Sequence, residues 1–308
     1  MAQKVSIIIP NYNGQELLLR NLPNVIKYST DNEIIVVDDS STDNSVKIIH
    51  KNFKNIKVIR LKKNVGFSGA VNIGIKNSNY NFVVLLNSDV SPRQNYLKIA
   101  LNHFKNNKSK KLFAVGFLDY SHENEKIILK GRGRAYFKKG FILHAPAKIE
   151  RGETFWVSGG SGLFDKKKII ELGGFDQIFK PFYWEDIDIC FRASRQGYFS
   201  IFEPLSIVDH YHELGAIKQQ KSEYFIKTVA YKNQFIFFWK NVTDIYMILL
   251  HLAWFPYHLF ISIIKFDYAF INGLLWAYVK VPNIILNSFN QKQNYKVTEK
   301  EILKKYEK

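Results

Sequence analysis

The sequence predicts an α/β fold, a mostly parallel sheet flanked by helices, followed by a C-terminal apolar helical appendage. Short apolar runs of strand length alternate with segments whose apolar residues recur at helical spacing. Each run also ends in polar or acidic residues. The runs are 5–10, 34–37 and 82–86, and the helical segments are 16–28, 43–53 and 69–78. Because a helix between two strands returns the chain to the same end of the sheet, this alternation favours a doubly wound parallel sheet.

The ends of the three predicted strands carry the polar side chains. The first run ends at Pro10 and is followed by Asn11–Gly14, the second is followed by Asp38 and Asp39, and the third by Asn87–Asp89. In open α/β sheets, ligands bind beyond the carboxyl ends of the strands. The sequence therefore predicts a nucleotide-type site at this edge.

Three carboxylates within four residues form a second candidate site. Glu185, Asp186 and Asp188 follow Trp184 and lead into an apolar-periodic run. Crowded carboxylates repel one another, which raises the proton affinity of at least one of them and suits it to act as a general base near neutral pH. The alternative is an ordinary acidic helix start, because carboxylates favour the first turn of a helix.

Six motifs follow one another along the chain: Val5–Asn13, Val37–Asp43, Asn64–Phe67, Leu86–Asp89, Gly173–Asp176 and Glu185–Asp186. In this order they resemble the motifs of the family 2 glycosyltransferases. Within that family, the chain looks most like the branch of bacterial rhamnosyltransferases and related cell-surface polysaccharide enzymes. The resemblance covers roughly residues 4–240. It implies a GT-A fold and transfer of a sugar from a nucleotide-sugar, such as a UDP- or dTDP-sugar.

The resemblance also implies a set of donor-site residues. Pro10, Tyr12 and Asp39 would surround the nucleotide base, and Asp39 would accept a hydrogen bond from it. Asp38 is expected to shape the turn after the second strand. The alternative for both acids is that they only cap the helix that begins near Asp43.

Asn64 and Gly66 would lie beside the nucleotide sugar. An ordinary loop and helix start is an equal alternative for these two residues.

A divalent cation, Mn²⁺ or Mg²⁺, is implied at the end of the third strand. The family usually has two acids flanking one residue there, and Asn87 replaces the first of them. Asp89 would therefore be the principal protein anion at the metal. His210, with His212 as the substitute, would complete the site, because a neutral imidazole suits Mn²⁺. The alternative is that both histidines only hydrogen-bond in a loop.

The acceptor side follows from the same resemblance. Asp186 would take the proton from an acceptor hydroxyl that attacks the anomeric carbon from the opposite face, which gives inversion, and Glu185 would orient the acceptor. Trp184 would stack on a sugar ring, with a core or lid aromatic as the equal alternative. Gly159 and Gly160 would let the backbone approach the acceptor, with a flexible connection as the alternative.

Three side chains near the acids are predicted to be structural. Asp188 and Arg192 lie four residues apart, so they share a helix face and can pair. Cys190 is expected to be a small buried residue, and as the single cysteine of the chain it excludes an intramolecular disulfide.

Composition narrows the partners. The chain has 44 Lys and Arg against 27 Asp and Glu, a formal net charge of +17, which predicts attraction to polyanions. The basic residues do not follow the patterns of common nucleic-acid modules, so an anionic membrane surface is predicted rather than nucleic acid, and a Lys- and Asn-rich compositional bias is the alternative. The first apolar run is too short for a secretory signal, so the catalytic domain is expected in the cytoplasm.

The C-terminal third changes character. Residues 245–264 contain no Asp, Glu, Lys or Arg, and as a helix they would reach about 30 Å, near the thickness of a bilayer's hydrocarbon core. Two histidines, a central Pro256 and scattered aromatics favour helices in the interface plane or a shallow hairpin. A true span, and packing onto the catalytic domain or a partner subunit, stay open.

Three regions are predicted. Residues 1–215 form the catalytic domain, with the nucleotide-sugar half at about 1–100 and the acceptor half at about 101–215. Residues 216–290 form a helical, membrane-associating region, and residues 291–308 form a polar tail, expected to be a solvated helix.

These features lead to one function and two alternatives. The predicted function is inverting, metal-assisted transfer of a sugar from a nucleotide-sugar to a lipid-linked saccharide acceptor at the cytoplasmic face of a membrane. Nucleotidyl transfer uses a similar sheet but lacks an acceptor base such as the Glu185–Asp186 pair. A catalytically inactive, membrane-bound saccharide-binding protein is the non-enzymatic alternative.

Overall fold

A computed structural model describes residues 3–107, 109–123, 125–211, 221–292 and 295–307. Strands and helices alternate through the first hundred residues, and helices make up most of the described chain after residue 221. The strands are β1 (Ser6–Asn11), β2 (Glu33–Asp38), β3 (Lys57–Arg60), β4 (Phe82–Leu86), β5 (Val90–Pro92), β6 (Leu112–Glu123), β7 (Lys126–Lys130), β8 (Gly133–Lys138), β9 (Phe141–Pro146), β10 (Gly152–Thr154), β11 (Ser161–Asp165) and β12 (Phe199–His210). The helices are α1 (Gln15–Tyr28), α2 (Ser45–Asn52), α3 (Gly66–Lys76), α4 (Tyr96–Asn106), α5 (Lys166–Glu171), α6 (Glu185–Arg195), α7 (Glu223–Asn241), α8 (Ile245–Ile264), α9 (Tyr268–Tyr278), α10 (Val281–Lys292) and α11 (Glu299–Tyr306), with a 3₁₀ turn at Gln177–Phe179.

The main sheet has the order β10-β12-β6-β11-β4-β1-β2-β3, and β8 and β9 form a separate hairpin. The half β4-β1-β2-β3 is parallel throughout. The strand β11 runs antiparallel to both β4 and β6 and joins this half to β6 and β12, which are parallel to each other. The predicted fold class is confirmed, and β11 adds antiparallel pairs that the alternation of strands and helices did not predict.

Both faces of the parallel half are buried, which explains its continuous apolar runs. Alternate residues of β1 point to opposite faces, so Ile7 packs with α1 and Ile8 packs with α3. A Cβ on Gly74 would lie 2.4 Å from Cγ2 of Ile8, so this glycine lets α3 approach the sheet closely. The polar ends of β1, β2 and β4 consequently lie along one edge of the sheet.

The helix α3 begins at Gly66, three residues before the predicted segment. The carboxylate of Asp39 accepts hydrogen bonds from the N–H groups of Val65 and Gly66, at 2.7 and 2.8 Å. These bonds satisfy backbone donors that a helix start leaves unpaired, so the helix can begin early. The partner lies some 26 residues upstream, which is why local spacing did not predict it.

The expectation of a solvated tail helix is wrong. Glu299 and Tyr306 on α11 are 2% and 4% exposed. Glu299 pairs with the buried Arg195 at 2.7 Å, and the ring of Tyr306 packs edge-on against Phe155. Apolar residues recur at helical spacing on one side of α11 and form a stripe. This stripe is buried on the catalytic domain.

The helix α8 is long and apolar enough to cross a membrane, the one such helix among the described residues. Only 17% of the most apolar stretch of this helix is buried inside the protein. Its neighbours differ from it, because α7 and α9 pack closely on each other. The predicted apolar appendage is therefore present, and its exposed apolar residues continue from α8 into α9 and α10, as at Leu275, Trp276 and Leu286.

Candidate active site

The edge of the sheet where β1, β2 and β4 end is the predicted nucleotide site and is called the donor edge below. It is organised around two aspartates at the end of β2. Asp38 accepts hydrogen bonds from Asn11 Nδ2 at 3.1 Å and from the N–H of Ser41 at 3.1 Å, so it shapes the turn as predicted. Asp39 holds the start of α3 through its two backbone hydrogen bonds. Burial raises the pKa of Asp39, and the two N–H groups and the nearby Lys180 oppose the rise.

The other predicted base-site residues lie at the same edge. Pro10 is half-buried at the end of β1, and Tyr12 is 37% exposed in the loop that follows. Asn64 donates to the carbonyl oxygen of Asp39 at 3.3 Å. A Cβ on Gly66 would lie 3.4 Å from Cγ of Lys180. The edge thus has an exposed aromatic, a buried carboxylate and a lysine within one short region.

The glycine loop before β11 lies between the strand end and the acid cluster. Asn87 donates its backbone N–H to the carbonyl of Gly160 at 3.0 Å, and a Cβ on Gly160 would lie 2.4 Å from the Asn87 side-chain nitrogen. A Cβ on Gly159 would lie 3.7 Å from Cβ of Asp186. The structure therefore brings together Asn87, Gly159, Gly160 and Asp186, which the sequence separates by nearly a hundred residues.

Asp89 and His210 lie side by side at the far end of this edge. Oδ1 of Asp89 is buried, accepts no hydrogen bond from the described residues, and lies 3.2 Å from Nε2 of His210. Nδ1 of His210 lies 2.6 Å from Asp119, a residue that sequence reasoning missed. Burial alone lowers the pKa of His210, but the carboxylates of Asp119 and Asp89 raise it to about 10.

These residues fit a divalent cation. A carboxylate oxygen without a hydrogen-bond partner faces an imidazole nitrogen, and a second carboxylate orients the ring from behind, as in many metal-ligating histidines. The carboxylates of Asp89 and Asp119 lie on either side of the His210 ring, so the pocket attracts a positive charge. Within the described ranges, no three His, Cys, Asp or Glu side chains form a closed metal cage. A cation held here would take its other ligands from phosphate oxygens or water, as Mg²⁺ commonly does. His212 lies outside the described residues.

The acid pair begins α6. Tyr183 and Trp184 both have left-handed backbone, with φ of 72° and 75°. Glu185 is 7% exposed, and its Oε2 has no hydrogen-bond partner in the described residues. Asp186 accepts from the N–H of Ile187 at 2.8 Å and more weakly from the N–H of Gly159 at 3.4 Å.

The raised proton affinity expected of the pair is present, but burial contributes more to it than the crowding of the acids. Burial raises the pKa of both Glu185 and Asp186, and the charge of Asp186 raises that of Glu185 further. The protonation of one carboxyl therefore depends on the charge of the other. The pKa of Glu185 lies well above its ordinary range. Such a pair can accept a proton from a substrate hydroxyl.

The third acid is structural, as predicted. Asp188 is fully buried, and Nε of Arg192 donates to it at 2.8 Å. Lys240 and Asn241 on α7 also donate to Asp188, at 2.8 Å in both cases. Although burial opposes ionisation, these cationic and amide partners lower the pKa of Asp188. The buried network fixes α6 to α7. Cys190 beside it is buried, as expected, and burial raises the pKa of its thiol to about 12.

A second set of α7 residues holds the loop before the acids, and sequence reasoning missed it. Nδ2 of Asn233 lies 2.7, 2.8 and 2.9 Å from the carbonyls of Phe179, Phe182 and Tyr183. Lys232, also buried, donates to the carbonyl of Lys180. No motif links residue 233 to residue 183, so only the three-dimensional fold identifies these contacts.

Trp184 is 7% exposed, and its ring packs against His144 and Phe237, at 5.0 and 5.1 Å between centroids. The indole therefore lies within the aromatic core that supports the acids. Stacking of Trp184 on a sugar stays a prediction.

Comparison with known proteins returns one family. The profile described as Glycosyl transferase family 2 matches residues 6–171. Poly-beta-1,6-N-acetyl-D-glucosamine synthase of Staphylococcus aureus (strain COL) is 28% identical over 207 residues, which cover 66% of this chain and 48% of that protein. Poly(ribitol-phosphate) beta-N-acetylglucosaminyltransferase TarP of Staphylococcus aureus (strain N315) is 31% identical over 179 residues, 55% of this chain and 50% of that protein. The chain thus spans about half the length of these curated relatives.

Solved structures share the fold. GalNAc-T7 with UDP, GalNAc and Mn²⁺ superposes with a TM-score of 0.63 at 19% identity, over 79% of this chain and 49% of that one. S. aureus TarS 1-349 in complex with UDP-GlcNAc gives 0.57 at 17% identity, over 82% of this chain and 72% of that one. At these identities the likeness concerns the fold, a GT-A-like sheet flanked by helices.

Proposed function

The chain belongs to glycosyltransferase family 2, and from this premise we propose that it transfers a sugar from a nucleotide-sugar to a saccharide acceptor with inversion at the anomeric carbon. The observation that carries the proposal is the position of the acid pair. Asp186 adjoins Gly159, and Gly160 adjoins Asn87 at the donor edge. A donor seated at the edge would thus present its reacting carbon near a carboxylate of raised pKa.

We propose UDP-N-acetylglucosamine as the donor. By their names, one curated relative synthesises a polymer of N-acetylglucosamine and the other transfers N-acetylglucosamine to poly(ribitol-phosphate). The TarS structure contains UDP-GlcNAc. These relatives give no support to the rhamnosyltransferase-like branch or to a dTDP-sugar donor, so N-acetylglucosamine replaces rhamnose as the proposed sugar.

The donor edge supplies the contacts for a nucleoside diphosphate. The exposed Tyr12 offers a ring face to the base, and Pro10 lies beside it. Asp39 accepts from a base N–H with the lone pairs that its two backbone bonds leave available. Asn64 and Gly66 lie beside the ribose. This arrangement selects a base such as uracil, which presents an N–H to a carboxylate.

Asp89 and His210 would hold Mn²⁺ or Mg²⁺ against the diphosphate, and Asn87 would hydrogen-bond beside them. When bound, the cation supplies positive charge to the leaving diphosphate. The side chain of Asp119 keeps the His210 ring oriented, so Nε2 faces Asp89. The positive charge of Lys180 lies near Asp39 and adds to the field at this edge.

The acid pair performs the proton transfer. The acceptor hydroxyl oxygen bonds to the anomeric carbon as the bond from that carbon to the diphosphate oxygen breaks, and the diphosphate leaves with the electron pair. Asp186 takes the hydroxyl proton, and Glu185 orients the acceptor from its buried position. In the proposed geometry, Asp186 faces the anomeric carbon from the side opposite the diphosphate, and attack from that side inverts the carbon.

The acceptor is proposed to be a lipid-linked saccharide at the cytoplasmic face of a membrane. The exposed apolar surface of α8 and the net charge of +17 support a membrane location. Contact of the acceptor with Gly159, Gly160 and Trp184 remains part of the proposal.

A donor screen tests this proposal. Purified protein is titrated with UDP-GlcNAc, other UDP-sugars, dTDP-rhamnose and GDP-mannose in Mn²⁺, Mg²⁺ or chelator, and donor hydrolysis is followed. We expect UDP-GlcNAc to bind best, Asp89→Ala to remove the metal dependence, and Asp186→Asn to retain binding while turnover is lost. Asp31→Asn is the matched control, because Asp31 is exposed and its left-handed backbone suits Asn. Absence of binding to every nucleotide-sugar would contradict the transferase proposal.

A further inference from the structure

The helix α8 has two opposite faces. One is buried on the catalytic domain and includes Met247, His251 and Ser262. The other is exposed, and its apolar residues recur at spacings of three and four, which places them in one stripe. The stripe consists of Ile245 (73% exposed), Leu249 (59%), Leu252 (62%), Pro256, Phe260 (62%) and Ile263 (60%).

The middle of α8 is fixed to the tip of the β8–β9 hairpin. Nδ1 of His251 lies 2.8 Å from the carbonyl of Gly140, and Nε2 of His258 lies 2.8 Å from the carbonyl of Lys139. The ammonium of Lys139 donates to the hydroxyl of Tyr257 at 2.8 Å. A Cβ on Gly140 would lie 2.8 Å from Cα of His251, so the two backbones touch. The hairpin tip, with its lysine, therefore contacts the central turns of a helix that has 20 residues.

Both ends of α8 are fixed to the same body. At the start, Asp244 pairs with Lys300 of α11 at 3.2 Å. Just after the end, Asp267 accepts from Lys227 and Tyr231 of α7, at 2.9 and 2.8 Å. Since α11 and α7 are each bound to α6 through buried ion pairs, both ends and the centre of α8 are attached to the catalytic domain.

This attachment is incompatible with a span. A helix that crosses a bilayer would carry one end about 30 Å away from the other, on the opposite side of the hydrocarbon core. It would also place the Lys139 ammonium and the hairpin peptide groups near the bilayer midplane, where polar and charged groups are costly. A helix held along its whole length on one body lies parallel to the surface of that body.

We propose that the α8 stripe inserts into one leaflet of an anionic membrane, with the helix parallel to the membrane plane. This inference rests on the proposed function in one respect: the membrane surface is where the protein would meet a lipid-linked acceptor. The charge around the stripe identifies the lipid class. Lys139 lies 5.6 Å from the ring of Trp254 and Lys300 lies 5.5 Å from the ring of Tyr246, so cations and interfacial aromatics border the stripe. Residues 245–292 contain one acid, Asp267, which is paired.

Vesicle flotation tests the surface. The full chain is mixed with phosphatidylcholine vesicles, with or without phosphatidylglycerol. We expect binding that requires phosphatidylglycerol and that weakens at least about tenfold in the double variant Leu252→Glu/Phe260→Glu, because two exposed apolar side chains that would enter the membrane are replaced by charged ones. Ile170→Glu on α5 is the matched control, since Ile170 is 58% exposed and lies far from α8 in sequence. Unchanged binding of the double variant, or equal binding without phosphatidylglycerol, would overturn the proposal.

Two further readouts separate the alternatives. Hydrolysis of UDP-GlcNAc should be unchanged in the double variant, so a loss of vesicle binding is distinguished from a failure of the proposed function. A shift from dimer to monomer in that variant, without any vesicle binding by the wild type, would show that a second copy covers the stripe.

Cysteine labelling tests the orientation. In inside-out membrane vesicles from expressing cells, Lys265→Cys, just after α8, and Lys51→Cys, on α2, are treated with a membrane-impermeant maleimide. The native Cys190 is buried and provides a low background. A helix in the membrane plane predicts that both variants label without permeabilisation. Labelling of Lys265→Cys only after permeabilisation would show a span and contradict the proposal.

Discussion

The donor edge and the acid side of the site are built in different ways. At the donor edge, each functional side chain follows directly from the strand that positions it, as Asp39 follows β2. On the acid side, Asp186 is positioned by a loop that Asn233 holds from about 50 residues downstream. The match to the family model ends at residue 171, before the acids begin. The difference teaches that the sheet itself positions the residues proposed to bind the donor, whereas the position of the proposed base depends on helix α7.

The largest effect is expected for Asp186→Asn, which removes the proposed base and leaves the donor edge intact. Turnover should fall by about 10²–10⁴-fold, the usual contribution of a general base, with little change in UDP-GlcNAc affinity. Steady-state kinetics and calorimetry with Asp31→Asn as control measure both quantities. Retained turnover would mean that the proton leaves by another route and that the acid side is not the catalytic half.

Asn233→Leu tests whether α7 positions the acids. The three carbonyls lose their common donor, so the loop should shift and turnover should fall by up to about 10²-fold, the usual cost of a displacement near 1 Å. Unfolding free energy should fall by about 1–3 kcal/mol. The KM for the donor should be unchanged, and exposed Asn52→Leu is the control. A purely structural role would instead change KM and turnover together or change neither.

Asp39→Asn tests the donor edge alone. The substitution replaces the carboxylate that accepts hydrogen bonds from the N–H groups of Val65 and Gly66, and from the base in the proposed complex, with a neutral amide. The KM for UDP-GlcNAc should therefore rise about tenfold, while turnover changes less. Equal loss for UDP- and GDP-sugars would show that Asp39 only holds the loop. If turnover fell further in Asp39→Asn than in Asn233→Leu, the donor edge would matter more for turnover than the acid side, and the comparison would be wrong.

The last prediction concerns stability and pH, and no change in turnover is needed to observe it. The pKa of Glu185 is raised in the folded protein, so between the ordinary Glu value and the raised value only the unfolded chain is ionised. Wild-type stability should therefore fall as the pH rises through this window, by up to about 1.4 kcal/mol for each pH unit. Urea unfolding at about pH 5 and about pH 7 should show that Glu185→Gln removes much of this dependence. An unchanged slope would mean that Glu185 is not buried with its proton.

The sequence was most informative where function and local structure coincide. The strand ends, Asp38 in its turn, the pairing of Asp188 with Arg192 and the buried Cys190 all follow from spacing or strand position, and the structure confirms them. The start of α3 at Gly66 and the docking of α11 were missed because their partners, Asp39 and Arg195, lie far away in sequence.

The residues that support the acids could not be predicted from the sequence, for the same reason. Asn233 and Lys232 lie in an aromatic-rich helix that gave no sign of contact with the loop before Glu185. Asp119, the partner of His210, belongs to a buried strand and has no motif around it. Such contacts depend on how helices pack on the sheet, which a pattern of residue types does not specify.

A crystal structure of Asp186→Asn with UDP-GlcNAc and Mn²⁺ tests the central claim most directly. The account predicts the base between Tyr12 and Asp39, the diphosphate with Mn²⁺ at Asp89 and His210, and the anomeric carbon facing the side chain at position 186. A donor bound with its sugar directed away from that side chain would contradict it.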